Sequence, residues 1–307
     1  RAILDGDRNR DEPCAGGGFM IPVKDAVEPL VFSCQGSAMV GVLHRAGFDG
    51  CEVAVLIIVG GPQYRVGSHR QFVSSAYALA AAGFPALRFD YRGMGDSEGE
   101  YSGFEHISDD IRAAIDTLDA TCHPRRGVVL LGLCDAASAA LMYCGSDPRV
   151  AGLILMNPWV RSGQSQAAVV VKRYYATRLL QADFWRKLAS GGFDFLASAR
   201  SLFGNLARAA RRPVSPATGF IGSMRSGLKY FKGPVLIVQS GRDLTADEFR
   251  AICSSDAEWK LGLARDGVEV VDMPEADHTF SRARHLEEFN GNCRRWLALH
   301  FGGAPCR

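Results

Sequence analysis

Residues 127–142 read as a strand that runs straight into a helix through a turn of small residues. Gly127-Val128-Val129-Leu130 is apolar and β-prone, and Ala136-Ala137-Ser138-Ala139-Ala140-Leu141-Met142 is helix-prone. Between them stands Leu131-Gly132-Leu133-Cys134-Asp135-Ala136. Gly-x-nucleophile-x-small between a strand and a helix is the outline of a nucleophile elbow, which holds one reactive side chain above a parallel sheet. The turn brings the following helix close to the strand, so Gly132 and Ala136 stand where larger side chains would collide. Cys134 takes the place of the more usual Ser, and Ala136 that of Gly. The alternative for the same residues is a buried structural cysteine, since free Cys is among the most buried residue types.

The flanking chain repeats the strand–helix theme. Val53–Val59 is a continuous apolar run, as in a strand buried on both faces of a parallel sheet. Further strands are expected at 85–90, 127–130, 150–156, 234–241 and 268–273, after an N-terminal hairpin at 31–34 and 38–44. Helices are expected over 71–82, 104–120, 246–264 and 282–300. In the second of these, Ile107, Ile111, Ala114, Ile115 and Leu118 recur at helical spacing. The alternation stops over 160–232, which reads as mostly helical. The expected architecture is therefore α/β, a mostly parallel, eight-stranded, doubly wound sheet with a helical cap inserted after strand 6. The core would comprise 28–159 and 233–302, the cap 160–232, with 1–27 a charged lead-in lacking a signal-peptide pattern and 303–307 a tail.

A nucleophile needs a base and an orienting acid. In the elbow arrangement these follow in the order acid, then histidine, each on a loop after a later strand. The seventh strand ends at Gly241-Arg242-Asp243, which places Asp243; Asp247, one helical turn on, is the fallback. His278 follows the eighth strand. Each is weak evidence alone, because a loop Asp is commonly a cap and a lone His a surface or core residue. Three residues in the required order are harder to dismiss. An imidazole beside a thiol favours the thiolate, and a carboxylate fixes the imidazole tautomer. For the oxyanion, the backbone N–H of Asp135 is the first expected donor. The second is expected from the loop after strand 3. Pro62 has no N–H there, which leaves Gln63, then Gly61.

Nine cysteines, without CxxC pairs or zinc-type spacing, fit a reducing compartment. A cytoplasmic protein without metal or cofactor is expected. No apolar run approaches the ~20 residues that span a bilayer.

Several stretches together resemble the α/β-hydrolase superfamily, in its serine-aminopeptidase-like, monoacylglycerol-lipase-like branch. They are the strand with its Gly-Gly-Pro loop, Phe89-Asp90-Tyr91-Arg92-Gly93-Met94-Gly95-Asp96-Ser97, the elbow, and Asp277-His278-Thr279-Phe280. Residues 61–72, 132–136 and 157–161 more narrowly resemble the first of two hydrolase families associated with the exosortase A system. That family occurs in bacteria that make exopolysaccharide. The resemblance spans roughly 28–302. It implies the fold, a triad, and hydrolase or acyl-transfer chemistry, and leaves the substrate open. Cys for Ser departs from the superfamily but resembles dienelactone hydrolase, and it puts ordinary peptidase activity in doubt.

The net charge of +2 hides an asymmetry. Residues 161–232 hold thirteen Lys and Arg against two acids, a formal +11, leaving 22 basic residues against 31 acidic elsewhere, −9. Bulky apolar residues, among them Tyr174, Phe184, Trp185 and Phe203, are interleaved with the bases. This pattern fits a lid with a solvated basic outer face. It equally fits a basic amphipathic surface meeting anionic membrane lipid or an anionic substrate. No recognition motif for nucleic acid accompanies it. The expected activity is a cysteine-dependent esterase or thioesterase working through an acyl-enzyme on an acyl substrate, anionic or lipid-like. Its rivals are an acyltransferase using the same acyl-cysteine and a binding protein with a decayed elbow. Oligomeric state is not legible.

Overall fold

Apolar runs without polar alternation have to be covered on both sides, and the sheet is built that way. The computed structural model describes residues 27–47, 50–61, 63–160 and 219–302. The strands are β1 (Val27–Cys34), β2 (Ser37–His44), β3 (Ala54–Ile58), β4 (Ala86–Phe89), β5 (Val128–Leu133), β6 (Val150–Met156), β7 (Val235–Arg242) and β8 (Val268–Asp277). The helices are α1 (Gln71–Ala81), α2 (Ser108–Cys122), α3 (Asp135–Tyr143), α4 (Phe220–Tyr230), α5 (Leu244–Ser255), α6 (Ala257–Leu263) and α7 (Ala283–Phe301). The eight strands form one sheet in the order β1-β2-β4-β3-β5-β6-β7-β8. The β1/β2 and β2/β4 pairs are antiparallel and the rest are parallel.

Alternate residues of the central strands feed two cores. Val55 and Ile57 of β3 and Val129 and Leu131 of β5 pack with Phe72 and Leu79 of α1 and Phe289 and Trp296 of α7. Leu56, Ile58 and Leu130 point the other way, into Ile111 and Ile115 of α2, Leu141 of α3, Leu228 of α4 and Trp259 of α6. A fully buried side chain such as Phe289 contributes about 1.5–3 kcal/mol relative to exposure.

Some elements depart from the sequence expectation. The helix expected over 246–264 is two, α5 and α6, because Asp256 is extended (φ −111°, ψ 128°) and its side chain caps α6 through Glu258 and Trp259 N–H. Strand β8 runs on to Asp277 because its far end pairs with β7, Arg242 opposite Asp277. The helix expected from 104 begins at Ser108, after a 3-10 turn over Phe104–His106. Inside the stretch expected as cap, α4 packs on α3 and α6 with Met224 and Leu228 buried. Residues 161–218 of that stretch lie outside the described residues, as do residues 1–26 of the lead-in and the tail.

Candidate active site

Three strand ends converge on one place. At the exit of β5, Cys134 adopts φ +61° and ψ −123°, a backbone conformation rare for any residue with a side chain. The neighbouring strand and the turn after it hold it there. Cys134 N–H donates to the Met156 carbonyl at 2.9 Å, and the Cys134 carbonyl accepts from Trp159 N–H at 3.1 Å and Ser138 N–H at 3.2 Å. The steric demand on Gly132 is real: a Cβ there would lie 2.6 Å from the Ala136 carbonyl carbon.

The register of β7 and β8 brings the other two residues together. With Arg242 opposite Asp277, the next residues on the two strands are Asp243 and His278. His278 Nδ1 lies 2.7 Å from Asp243 Oδ2. The Asp243 carboxylate is 7 % exposed and also caps α5, accepting from Thr245 N–H at 3.0 Å and Ala246 N–H at 3.3 Å. Asp247 instead pairs with Arg250 at 3.1 Å. Burial of the His278 ring works against its charge. Hydrogen bonding and negative charge from Asp243 and Cys134 outweigh that and push its pKa up to about 10. Cys134, His278 and Asp243, the residues expected to act as nucleophile, base and acid, are thus brought together in that order.

The turn after β3 differs from expectation. Gly61 N–H donates to Asp135 Oδ1 at 2.8 Å, and Gln63 N–H donates to the Gly61 carbonyl at 2.8 Å. Both alternatives for the second oxyanion donor, the Gln63 and Gly61 amides, are thus engaged within the protein. The turn bends back on itself, and the Asp135 carboxylate fastens it to the elbow, accepting also from Ala136 N–H at 3.0 Å. Gly60 fits because it has no side chain: a Cβ there would meet the Leu133 carbonyl at 2.2 Å. Burial raises the Asp135 pKa, and the backbone donors and the nearby His278 only partly offset this. Asp135 N–H itself opens α3, where a helix offers its first amides no internal acceptor.

A sequence profile of the Alpha/beta hydrolase family matches residues 55–291. The chain belongs to that family. No functionally curated protein matches the sequence. Solved structures agree in fold. The Pyrococcus furiosus esterase Pf2001 superposes with a TM-score of 0.62 at 17% identity, covering 95% of this chain and 100% of that one. Est1E from Butyrivibrio proteoclasticus, solved with ferulic acid bound, gives 0.58 at 15% identity over 88% and 98%. XC6422 from Xanthomonas campestris, described as a serine hydrolase without a lid, gives 0.54 at 16% identity over 94% and 99%. Among alpha/beta hydrolases, this chain places cysteine at the elbow.

Sequence reading missed one supporting network. Asn157, fully buried at φ +45°, follows β6. Its Nδ2 donates to Ser240 Oγ at 3.0 Å and to the His278 carbonyl at 3.1 Å, and its Oδ1 accepts from Ser240 N–H at 2.8 Å. Ser240 Oγ in turn donates to the Asp277 carbonyl at 2.9 Å. The only signal was a polar residue at the end of each of two apolar strands. No group of three or more His, Cys, Asp or Glu among the described residues could hold a metal ion. No described helix is long and apolar enough to cross a membrane.

Proposed function

We propose that the protein is a cysteine-nucleophile esterase or thioesterase that works through an acyl-enzyme. The observation that carries this reading is the His278–Asp243 pair, 2.7 Å apart, with Cys134 near enough to help hold the proton on the ring. In the proposed reaction the Cys134 thiolate attacks the substrate carbonyl carbon. His278 gives its proton to the leaving oxygen or sulfur, and Asp243 keeps Nδ1 engaged throughout. Water then attacks the thioester, His278 takes its proton, and the acid leaves as the thiolate is restored.

The likeness of residues 61–72, 132–136 and 157–161 to the exosortase-associated hydrolases supports service in exopolysaccharide-producing systems, in the cytoplasm or at its membrane face. The basic excess of residues 161–218 supports an anionic or lipid-like acyl substrate and peripheral contact with anionic lipid.

The test is acyl trapping. With p-nitrophenyl butyrate and a butyryl thioester, rapid quenching and mass spectrometry are expected to find butyrate on Cys134, and Cys134→Ala to abolish both adduct and turnover. A Cys134→Ala protein that keeps its rate would sink the reading. Faster product release on adding a sugar or lipid hydroxyl, with the acyl group found on that acceptor, would assign acyl transfer instead.

A further inference from the structure

In the turn after β3 the backbone amides of Gly61 and Gln63 are both taken, yet the turn carries a side chain that can donate. Pro62 has no N–H, Gly61 N–H is held by Asp135, and Gln63 N–H is held by the Gly61 carbonyl. Gln63 is half-buried, and its Oε1 accepts from both the backbone N–H and Oγ of Ser68, each at 3.1 Å. A backbone N–H can only donate, so the atom facing it is the amide oxygen. That fixes Nε2 on the other side of the amide, and no hydrogen bond from it is made among the described residues. Nε2 lies 3.8 Å from where a Gly61 Cβ would stand. Gly61 is the residue bonded to Asp135, next to the nucleophile.

We propose that Gln63 is a catalytic residue whose side-chain Nε2–H, with the Asp135 backbone N–H, binds the oxyanion in place of a loop backbone amide. The inference rests on the acyl-enzyme reading above. As the Cys134 sulfur bonds to the carbonyl carbon, the π pair moves onto oxygen, which accepts from these two donors. When the intermediate collapses, the carbonyl re-forms and the bond to the leaving atom breaks, taking the His278 proton. Ser68 is the positioning residue: by holding Oε1 it aims Nε2 before substrate arrives, so little reorganisation is needed at the transition state.

Three probes of the full chain test this. The p-nitrophenolate burst from p-nitrophenyl acetate reads acylation. Hexanal, which adds reversibly to a thiolate and leaves its oxygen in the same place, reads the donors without turnover. Iodoacetamide alkylation of Cys134, a displacement with no oxyanion, reads the nucleophile alone. Gln63→Ala is expected to slow acylation by roughly 10²–10³ and weaken hexanal binding, with alkylation changed by less than about twofold. Gln63→Glu keeps an acceptor for Ser68 but presents an anion, and is expected to lose at least as much. An unchanged burst and hexanal affinity in Gln63→Ala would overturn the assignment, as would alkylation falling in parallel. If the wild type gives no burst, the esterase reading fails, and hexanal affinity still decides for or against Gln63.

Discussion

Asp243 serves two elements with one carboxylate. It caps α5 through two backbone amides and faces His278 Nδ1 at 2.7 Å. Capping does not compete with the role proposed for Asp243, because the two amides hold its carboxylate still. Against the burial of the ring, Asp243 and Cys134 together hold the His278 proton far more tightly than usual, with a value of about 10 against an ordinary ~6.5. The folded chain therefore favours the imidazolium. That contribution to stability is whole below about pH 6.5 and is lost as the pH rises through about 10. The same proton is the one proposed to leave with the product, so kcat/KM is expected to fall in the same alkaline range. Asp243→Asn keeps the shape and removes the charge. It should bring the His278 midpoint down by about two pH units, the size of effect a neighbouring opposite charge exerts. An NMR titration of the imidazole Cε1–H, assigned with His278→Gln, checks this; an unmoved midpoint would remove Asp243 as the cause.

The elbow is a joint property of β5 and α3 rather than of Cys134. Gly132 lets the helix backbone pass where a Cβ would sit 2.6 Å from one carbonyl carbon and 2.7 Å from Ala137 N. Those contacts are backbone, which cannot swing aside. Gly132→Ala should cost about 1–3 kcal/mol, the usual range for overpacking, and should lower kcat by displacing Cys134. Gly145→Ala, in the turn after the same helix, has nothing within 4 Å of its Cβ and should be near neutral. Urea midpoints for the two variants decide it, and equal midpoints would discard the steric account. This joint was legible in the sequence because small residues at fixed spacing between an apolar run and a helix-prone run have few other uses. The order of Asp243 and His278 was legible for a similar reason: each follows a strand. The Asn157–Ser240 bridge was not, because it depends on which strands are neighbours. Nor was the engagement of the Gly61 and Gln63 amides, which depends on how one turn closes and on where the Asp135 side chain lies. The break at Asp256 was carried by a single capping side chain inside an otherwise helical stretch.

At the scale of the whole molecule, the two charge populations lie apart in sequence, and among the described residues two of the basic ones meet the acidic remainder. Arg225 and Lys229, counted with the basic insertion, are bridged to Asp256 and Glu258 of the acidic remainder. Residues 161–218 themselves hold ten Lys and Arg against two acids. Apolar periodicity exposed the sheet and its two cores, whereas charge carries no fold information and speaks only to partners. If that segment meets anionic lipid, binding has to be electrostatic first. The full chain should then float with vesicles of about one part phosphatidylglycerol to two of phosphatidylcholine, and not with phosphatidylcholine alone. Raising salt from about 0.05 to about 0.5 M should release it, because screening shortens the reach of surface charge to a few ångströms. Each basic residue near such a surface contributes about 1 kcal/mol. Lys172→Gln, Arg173→Gln, Arg211→Gln and Arg212→Gln together should therefore lower partitioning at least about tenfold. Turnover of soluble p-nitrophenyl butyrate should stay unaltered in that variant, which separates docking from chemistry. Flotation independent of lipid charge, or of those four residues, would assign the basic excess to solvent or to an anionic substrate instead.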